Sequence, residues 1–250
     1  TQDTPQGNFA ALNRGSAEKQ PPATAAFREA CADRRVWALF LAYAACFGVE
    51  LTINNIAMLY LLDYFEYFRS LERVSALQTA GAIAASFGLM NLFARTLGGW
   101  FGDQFGRIWG RSGRVKWLFL ALFGEGLALM LFSQAYSLLA AVPLLIVFSL
   151  FVPMSEGATF AVVPFINRRA LGAVSGIVGA GGNAGAVAAG FLFKTAGLDW
   201  HNALLILGAA VTAASFGSLA VTFSEAHDEA PAPAPAADEA GLTDLAPAAS

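Results

Sequence analysis

Residues 77–102 read LQTAGAIAASFGLMNLFARTLGGWFG and carry a single charge, Arg95. As an α-helix at about 1.5 Å per residue such a stretch is long enough to cross a hydrocarbon core of about 30 Å. Five other stretches meet the same test, so spans are predicted near 36–60, 77–102, 115–132, 138–166, 171–193 and 202–223. The composition agrees. Of 250 residues, 56% are hydrophobic and 13% charged, whereas soluble chains carry about 25% charged residues. A soluble globular domain is excluded, and no segment is basic enough for a nucleic-acid binder. The expected fold is an all-α membrane protein with six transmembrane helices in a lipid bilayer.

Outside the spans the sequence changes character. Residues 1–35 are rich in Ala, Pro, Gln and charge and read as a cytoplasmic linker, mostly disordered, with a partly helical end. Residues 36–223 form the six-helix bundle. Residues 224–250 form a Pro/Ala tail holding six acids and no Lys or Arg, which is expected to be disordered. The net charge of −3 therefore hides a mildly basic remainder. The chain starts at Thr1 with polar sequence in place of a signal peptide, and reads as a piece of something longer.

Eleven cations gather at one end of the spans: Arg14, Lys19, Arg28, Arg34 and Arg35, then Arg107, Arg111, Arg114 and Lys116, then Arg168 and Arg169. Only Arg69, Arg73 and Lys194 fall at the other. By the positive-inside rule both termini are predicted to be cytoplasmic, in a cell membrane crossed several times. Cys31 and Cys46 offer no disulfide framework. His201 and His227 are isolated, so neither a metal centre nor a cofactor is expected.

The residues that do not belong in a bilayer point to function. Arg95 near the middle of a span costs about 2.5–3.5 kcal/mol on an insertion scale and keeps its charge. It either snorkels toward the helix end past Gly98 and Gly99 or binds an anion. Gly81, Ala84, Gly88, Asn91 and Arg95 recur at spacings of three and four and so share one small, polar helix face, which favours the anion. The first span carries a matching stripe, Phe40, Tyr43, Phe47, Glu50 and Asn54. Glu50 in mid-membrane is protonated, paired with an arginine, or a carrier of a transported proton. Glu125 is read as structural. Glu156, which follows Pro153, reads as a supporting group beside a kink.

Two glycine-rich segments complete the pattern. GAVSGIVGAGGNAGAVAAG, residues 172–190, imitates a dinucleotide fingerprint but lacks the strand that fingerprint needs. In a membrane its four-residue glycine spacings permit close helix approach. Gly172, Gly176, Gly179 and Asn183 lie nearly on one line, and Gly181 and Gly182 sit beside them. GGWFGDQFGRIWGRSGR, residues 98–114, reads as a loop after the second span. There Gly99, Asp103, Gly106 and Arg107 place an acid at a helix end beside a tight turn and a basic cluster. Such charge pairs can make and break as helices move.

The 98–114 segment resembles the cytoplasmic motif of the major facilitator superfamily, with Gln104 where a basic residue is usual. FGVELTINNIAMLY, TAGAIAASFGLMNLFARTLGGW and GATFAVVPFINRRALGAVSGIVGAGGNAGAV resemble the seventh, eighth and tenth-to-eleventh helices of its nitrate/nitrite porters. The resemblance covers about residues 36–200. It implies the C-terminal half of a twelve-helix transporter, with a six-helix N-terminal half missing. It implies nitrate or nitrite as substrate, with Arg95 as one of two gripping arginines. Asn91, Asn183, Gly179, Gly181 and Gly182 are then substrate-binding, and Tyr43 or Phe47 forms an aromatic wall. Glu50 is the candidate for proton coupling, whether by symport or alongside anion exchange. A nitrate sensor whose acidic tail recruits a partner, and a carrier of another small anion, are the alternatives. No covalent catalysis is expected.

Overall fold

The computed structural model describes residues 22–223, and among them every regular element is helical. The elements are α1 (Ala23–Ala32), α2 (Arg34–Tyr64), α3 (Glu66–Arg69), α4 (Arg73–Leu89), α5 (Ala94–Ser133), α6 (Leu138–Val162), α7 (Leu171–Lys194) and α8 (Trp200–Ser218). Single 3-10 turns sit at Met90–Leu92 and Val163–Phe165. The expectations for residues 1–21, for the tail at 224–250 and for His227 lie outside the described residues. A ten-residue helix, α1, occupies the end of the stretch read as linker.

Five stretches are long and apolar enough to cross a membrane: Arg34–Tyr64, Arg73–Ser133, Leu138–Phe165, Leu171–Lys194 and Trp200–Ser218. The second is 61 residues long, about three bilayer cores if it were straight. It is not straight. At Trp109 φ is −126° and at Gly110 φ is +62°, a conformation open to glycine and costly for other residues. Past that point the chain doubles back, and the Trp117 indole donates to the Gly98 carbonyl at 2.8 Å. In an unbroken helix those residues would stand about 28 Å apart. The sequence expectation of a loop from Gly98 to Arg114 is therefore corrected. Helix continues through the glycines, and the reversal is confined to Trp109 and Gly110, where only one residue needs positive φ.

Capping marks where helices begin. Asp33 accepts from the Arg35 backbone N–H at 2.8 Å, Ser137 from Ala140 at 3.4 Å and Asp199 from Asn202 at 3.2 Å, each satisfying a donor that has no partner in its own helix. Asp33 also takes the Arg35 guanidinium at 2.7 Å. Burial of Asp33 works against its charge, yet the Arg35 hydrogen bonds and the Arg35 and Arg34 charges outweigh that and hold its carboxyl below the usual carboxylate range.

Helix α2 packs on α7, and α5 packs on α6 and α8. In the α2–α7 seam a Cβ on Gly48 would lie 2.7 Å from backbone atoms of Gly185 and Ala186. One on Gly181 or Gly185 would run into the carbonyls of Phe40 and Ala44. The two helices touch backbone to backbone, which is where small residues gain most contact in a bilayer.

Candidate functional site

A second close approach builds the site. A Cβ on Gly157 of α6 would strike the Arg95 carbonyl of α5, and one on Gly98 would strike the Met154 carbonyl. With both positions bare, the backbones of α5 and α6 come together, and Arg95 and Glu156 are left face to face. The helix carrying the predicted stripe is interrupted just before Arg95, by the Met90–Leu92 turn and by Phe93 at φ −131°. Arg95 thus stands in the first turn of a new helix. The stripe nevertheless points where its spacing says, since Gly88 looks onto the Asn54 amide oxygen, 3.7 Å from where its Cβ would be.

Arg95, Glu50, Asn91 and Glu156 converge. Arg95 Nη2 donates to Glu50 Oε2 at 3.2 Å and pairs with Glu156 Oε2. Asn91 Nδ2 donates to Glu50 Oε1 at 2.7 Å. The Arg95 side chain is 46% exposed, while those of Glu50 and Glu156 are 9% and 1% exposed. Of the three readings of Glu50 that the sequence leaves open, the structure shows the pairing with arginine. Glu156 is a direct partner of Arg95, nearer the centre than the supporting role read from its sequence. The available signal was a carboxylate in an apolar helix three residues after Pro153; the missing one was which helix faced it.

One guanidinium faces two carboxylates, and Glu125 on the returning limb of α5 is fully buried behind them. Both Glu125 oxygens, Glu156 Oε1 and Asn91 Oδ1 are buried with no hydrogen-bond partner among the described residues. Buried polar atoms are seldom left in that condition, because each costs about 1–3 kcal/mol. The arginine, by contrast, has donors to spare, since both of its contacts use Nη2.

The aromatic pair lies alongside. Tyr43 and Phe47 stack with ring centroids 5.2 Å apart, and Phe160 meets Tyr43 edge-on at 5.1 Å. Tyr43 is within electrostatic reach of Arg95, Glu50 and Glu156. The glycine segment divides between two faces. Gly181 and Gly182 are buried against α2, where a Cβ on Gly182 would collide with the Phe47 ring. Gly172, Gly176 and Gly179 have nothing within 4 Å of a would-be Cβ, and Asn183 is exposed. The line read from the sequence is thus an open face of α7, next to a packed one.

At the arginine-rich end Asp103 pairs with Arg114 across the Trp109–Gly110 reversal, and Gly106 makes room, 3.0 Å separating its would-be Cβ from Arg114 Nε. Arg107 reaches Gln104 at 3.5 Å. Gly99 is open. Arg111 and Arg114 also stand over the Phe165 ring, at 5.7 and 4.7 Å, a contact that sequence spacing does not foretell. A cleft of about 780 Å³ at the same end is bounded by Asp33, Arg35, Arg111, Phe165 and Arg168. It shares no residue with the Arg95 cluster. No group of metal-ligating side chains occurs among the described residues.

Comparison with known proteins finds relatives. The chain is 42% identical over 192 residues to high affinity nitrate transporter 2.5 of Arabidopsis thaliana, covering 77% of this chain and 37% of that protein. It is 38% identical over 193 residues to high-affinity nitrate transporter 2.3 of Oryza sativa subsp. japonica, covering 77% and 36%. Over about three-quarters of its length the chain is thus similar to nitrate/nitrite porters. A third relative, the nitrate/nitrite transporter NrtP of a Picosynechococcus strain, is 39% identical over 154 residues, covering 60% of this chain and 26% of that protein. No family model and no solved structure matches. The chain spans less than two-fifths of the length of the first two relatives. With its five long apolar stretches it is a multi-pass membrane protein, and the relatives named here are transporters, not enzymes.

Proposed function

We propose that this chain is the C-terminal six-span half of a secondary transporter that carries nitrate, nitrite or both by alternating access. The two limbs of Arg73–Ser133 count as separate crossings, which makes six. Residues 1–35 then join the halves and residues 224–250 trail behind, both on the cytoplasmic side where the arginines gather. Substrate sits between the halves near mid-membrane, and the halves rock around it.

One observation carries the reading: a half-exposed arginine inside a membrane bundle, oriented by two buried carboxylates. Arg95 is the anion ligand from this half. A planar guanidinium suits a small planar oxyanion, because its N–H groups lie in one plane and can donate two bonds together. Nitrate carries one charge, so fewer cations offset its desolvation than phosphate or sulfate would need. Tyr43 and Phe47 form an aromatic wall and Asn91 fixes Glu50. Gly179 and Asn183 line the face of α7 that the other half covers, while Gly181 and Gly182 hold the wall in place. The Asp103–Arg114 pair, with Gly99, Gly106 and Arg107 around it, makes and breaks as the halves rock. Exchange of two anions and symport with protons both fit this arrangement.

The test is uptake of labelled nitrate by the full-length protein in proteoliposomes, with competitors. Nitrite should compete, while sulfate, phosphate and neutral sugars should not. Inhibition by a sugar but not by nitrite would refute an anion site.

A further inference from the structure

Glu50 and Glu156 share one guanidinium, and they lose different things when it is taken away. Glu50 keeps the Asn91 amide, at 2.7 Å on its other oxygen. Glu156 keeps only the neighbouring Glu50 carboxyl, a like charge unless a proton lies between them; its Oε1 has no partner among the described residues and its side chain is 1% exposed. Every other charged or titratable group facing Glu156 is neutral or negative. Helix α2 presents Glu50, Tyr43 and Cys46, and the second limb of α5 presents Glu125. Only the first limb of α5 presents a cation, Arg95 itself. Within α6 the nearby polar side chains are Ser155 and Thr159, whose hydroxyls already donate to the Phe151 and Ser155 carbonyls.

Both carboxyl groups hold Arg95 through Nη2, so an anion that engages the Nη2 edge of the guanidinium meets an internal rival. The Glu156 carboxylate is itself a small planar oxyanion held by the same nitrogen. If the incoming anion takes that nitrogen, Glu156 is left as a buried, unpaired charge beside two other carboxyl groups. Such a state costs far more than a hydrogen bond, and a proton bound to the carboxylate removes it. In this chain the Arg95 side chain is 46% exposed, which leaves solvent a route by which a proton can come.

We infer that Glu156 is the residue that competes with the transported anion for Arg95, and that one proton binds Glu156 when the anion displaces it. This rests on Arg95 being the anion ligand. It moves the proton from Glu50, the candidate suggested by sequence, to a residue one helix away, and it holds for exchange as well as symport because the linkage is one of binding. Linkage is reciprocal, so nitrate binds more tightly as pH falls, by up to about tenfold per pH unit where a whole proton is taken up.

Calorimetric titration of nitrate into the purified full-length protein, in two buffers that differ in heat of protonation, counts the protons taken up. The native protein should take up about one proton per nitrate. Glu156→Gln should take up none and bind nitrate with one affinity across the same pH range, equal to the tight acid limit of the native protein. A merely damaged fold does not produce that gain at high pH. Glu156→Asp keeps a carboxylate and should restore the pH dependence. Arg95-dependent nitrate binding with no proton uptake in the native protein overturns the inference alone, as does uptake that survives in Glu156→Gln. Nitrate binding indifferent to Arg95→Lys overturns the site reading as well.

Discussion

Two seams of this molecule use glycine in the same way and reach opposite ends. Along α2 and α7, Gly48, Gly181 and Gly185 let backbones touch, and what they enclose is apolar or aromatic. Between α5 and α6, Gly98 and Gly157 do the same, and what they enclose is an arginine, an unpartnered carboxylate oxygen and, one layer back, Glu125. The first seam is explained by packing alone. In the second, close packing presses together groups that a bilayer penalises, so packing cannot be the reason for them. Glycine spacing marks where helices approach; the groups placed beside it distinguish a joint from a site.

The strongest way to break this comparison is to fill the first seam. Gly185→Leu forces a branched side chain into the Ala44 carbonyl and should cost about 3 kcal/mol or more, read as a collapse of the folded fraction in thermal melts. Gly179→Ala, six residues earlier on the same helix, meets open space and should shift the melt hardly at all. Equal losses from both would mean that the open face of α7 is packed against something within this chain, and the division into two faces would fail.

A smaller effect sharpens the account at the start of α2. Asp33→Asn keeps an N-cap acceptor but removes the charge that holds Arg35, itself bonded to the Ile166 carbonyl at 3.2 Å. A loss of about 0.5–1 kcal/mol is expected. Because the folded protein holds the Asp33 carboxyl below its unfolded value, its contribution is present above the unfolded value near pH 4. It fades as pH falls through the folded one. The native protein and the variant should therefore converge in stability in acid. A gap that stays constant down to the acid limb would remove the charge from the explanation.

The membrane-helix character of the chain and the two polar stripes were legible in the sequence, because helical period and the cost of buried charge are local properties; the meeting of Glu50 with Arg95 and Asn91 was not, since arginine pairing was one of three readings of Glu50 left open. The reversal at Gly110 was not. Glycines and arginines from 98 to 114 look like a loop when counted, and only the long-range contact of Trp117 with Gly98 shows that helix persists to Ile108. Glu156 was underestimated for a similar reason. Its partner lies 61 residues away, and which face of α6 meets α5 is settled by Gly157 and Gly98 together, a pairing that no single-segment pattern encodes. The division of the glycine segment into a packed and an open face likewise depends on where α2 lies.

Uptake of labelled nitrate into proteoliposomes by the full-length protein, native against Arg95→Lys, tests the central claim most directly. Lysine keeps the charge and the ion pairs but loses the planar fork, so a folded Arg95→Lys protein should lose at least about tenfold in uptake, equivalent to one good charge-assisted hydrogen bond. Equal uptake by the two proteins would show that Arg95 only balances Glu50 and Glu156, and that the anion binds elsewhere.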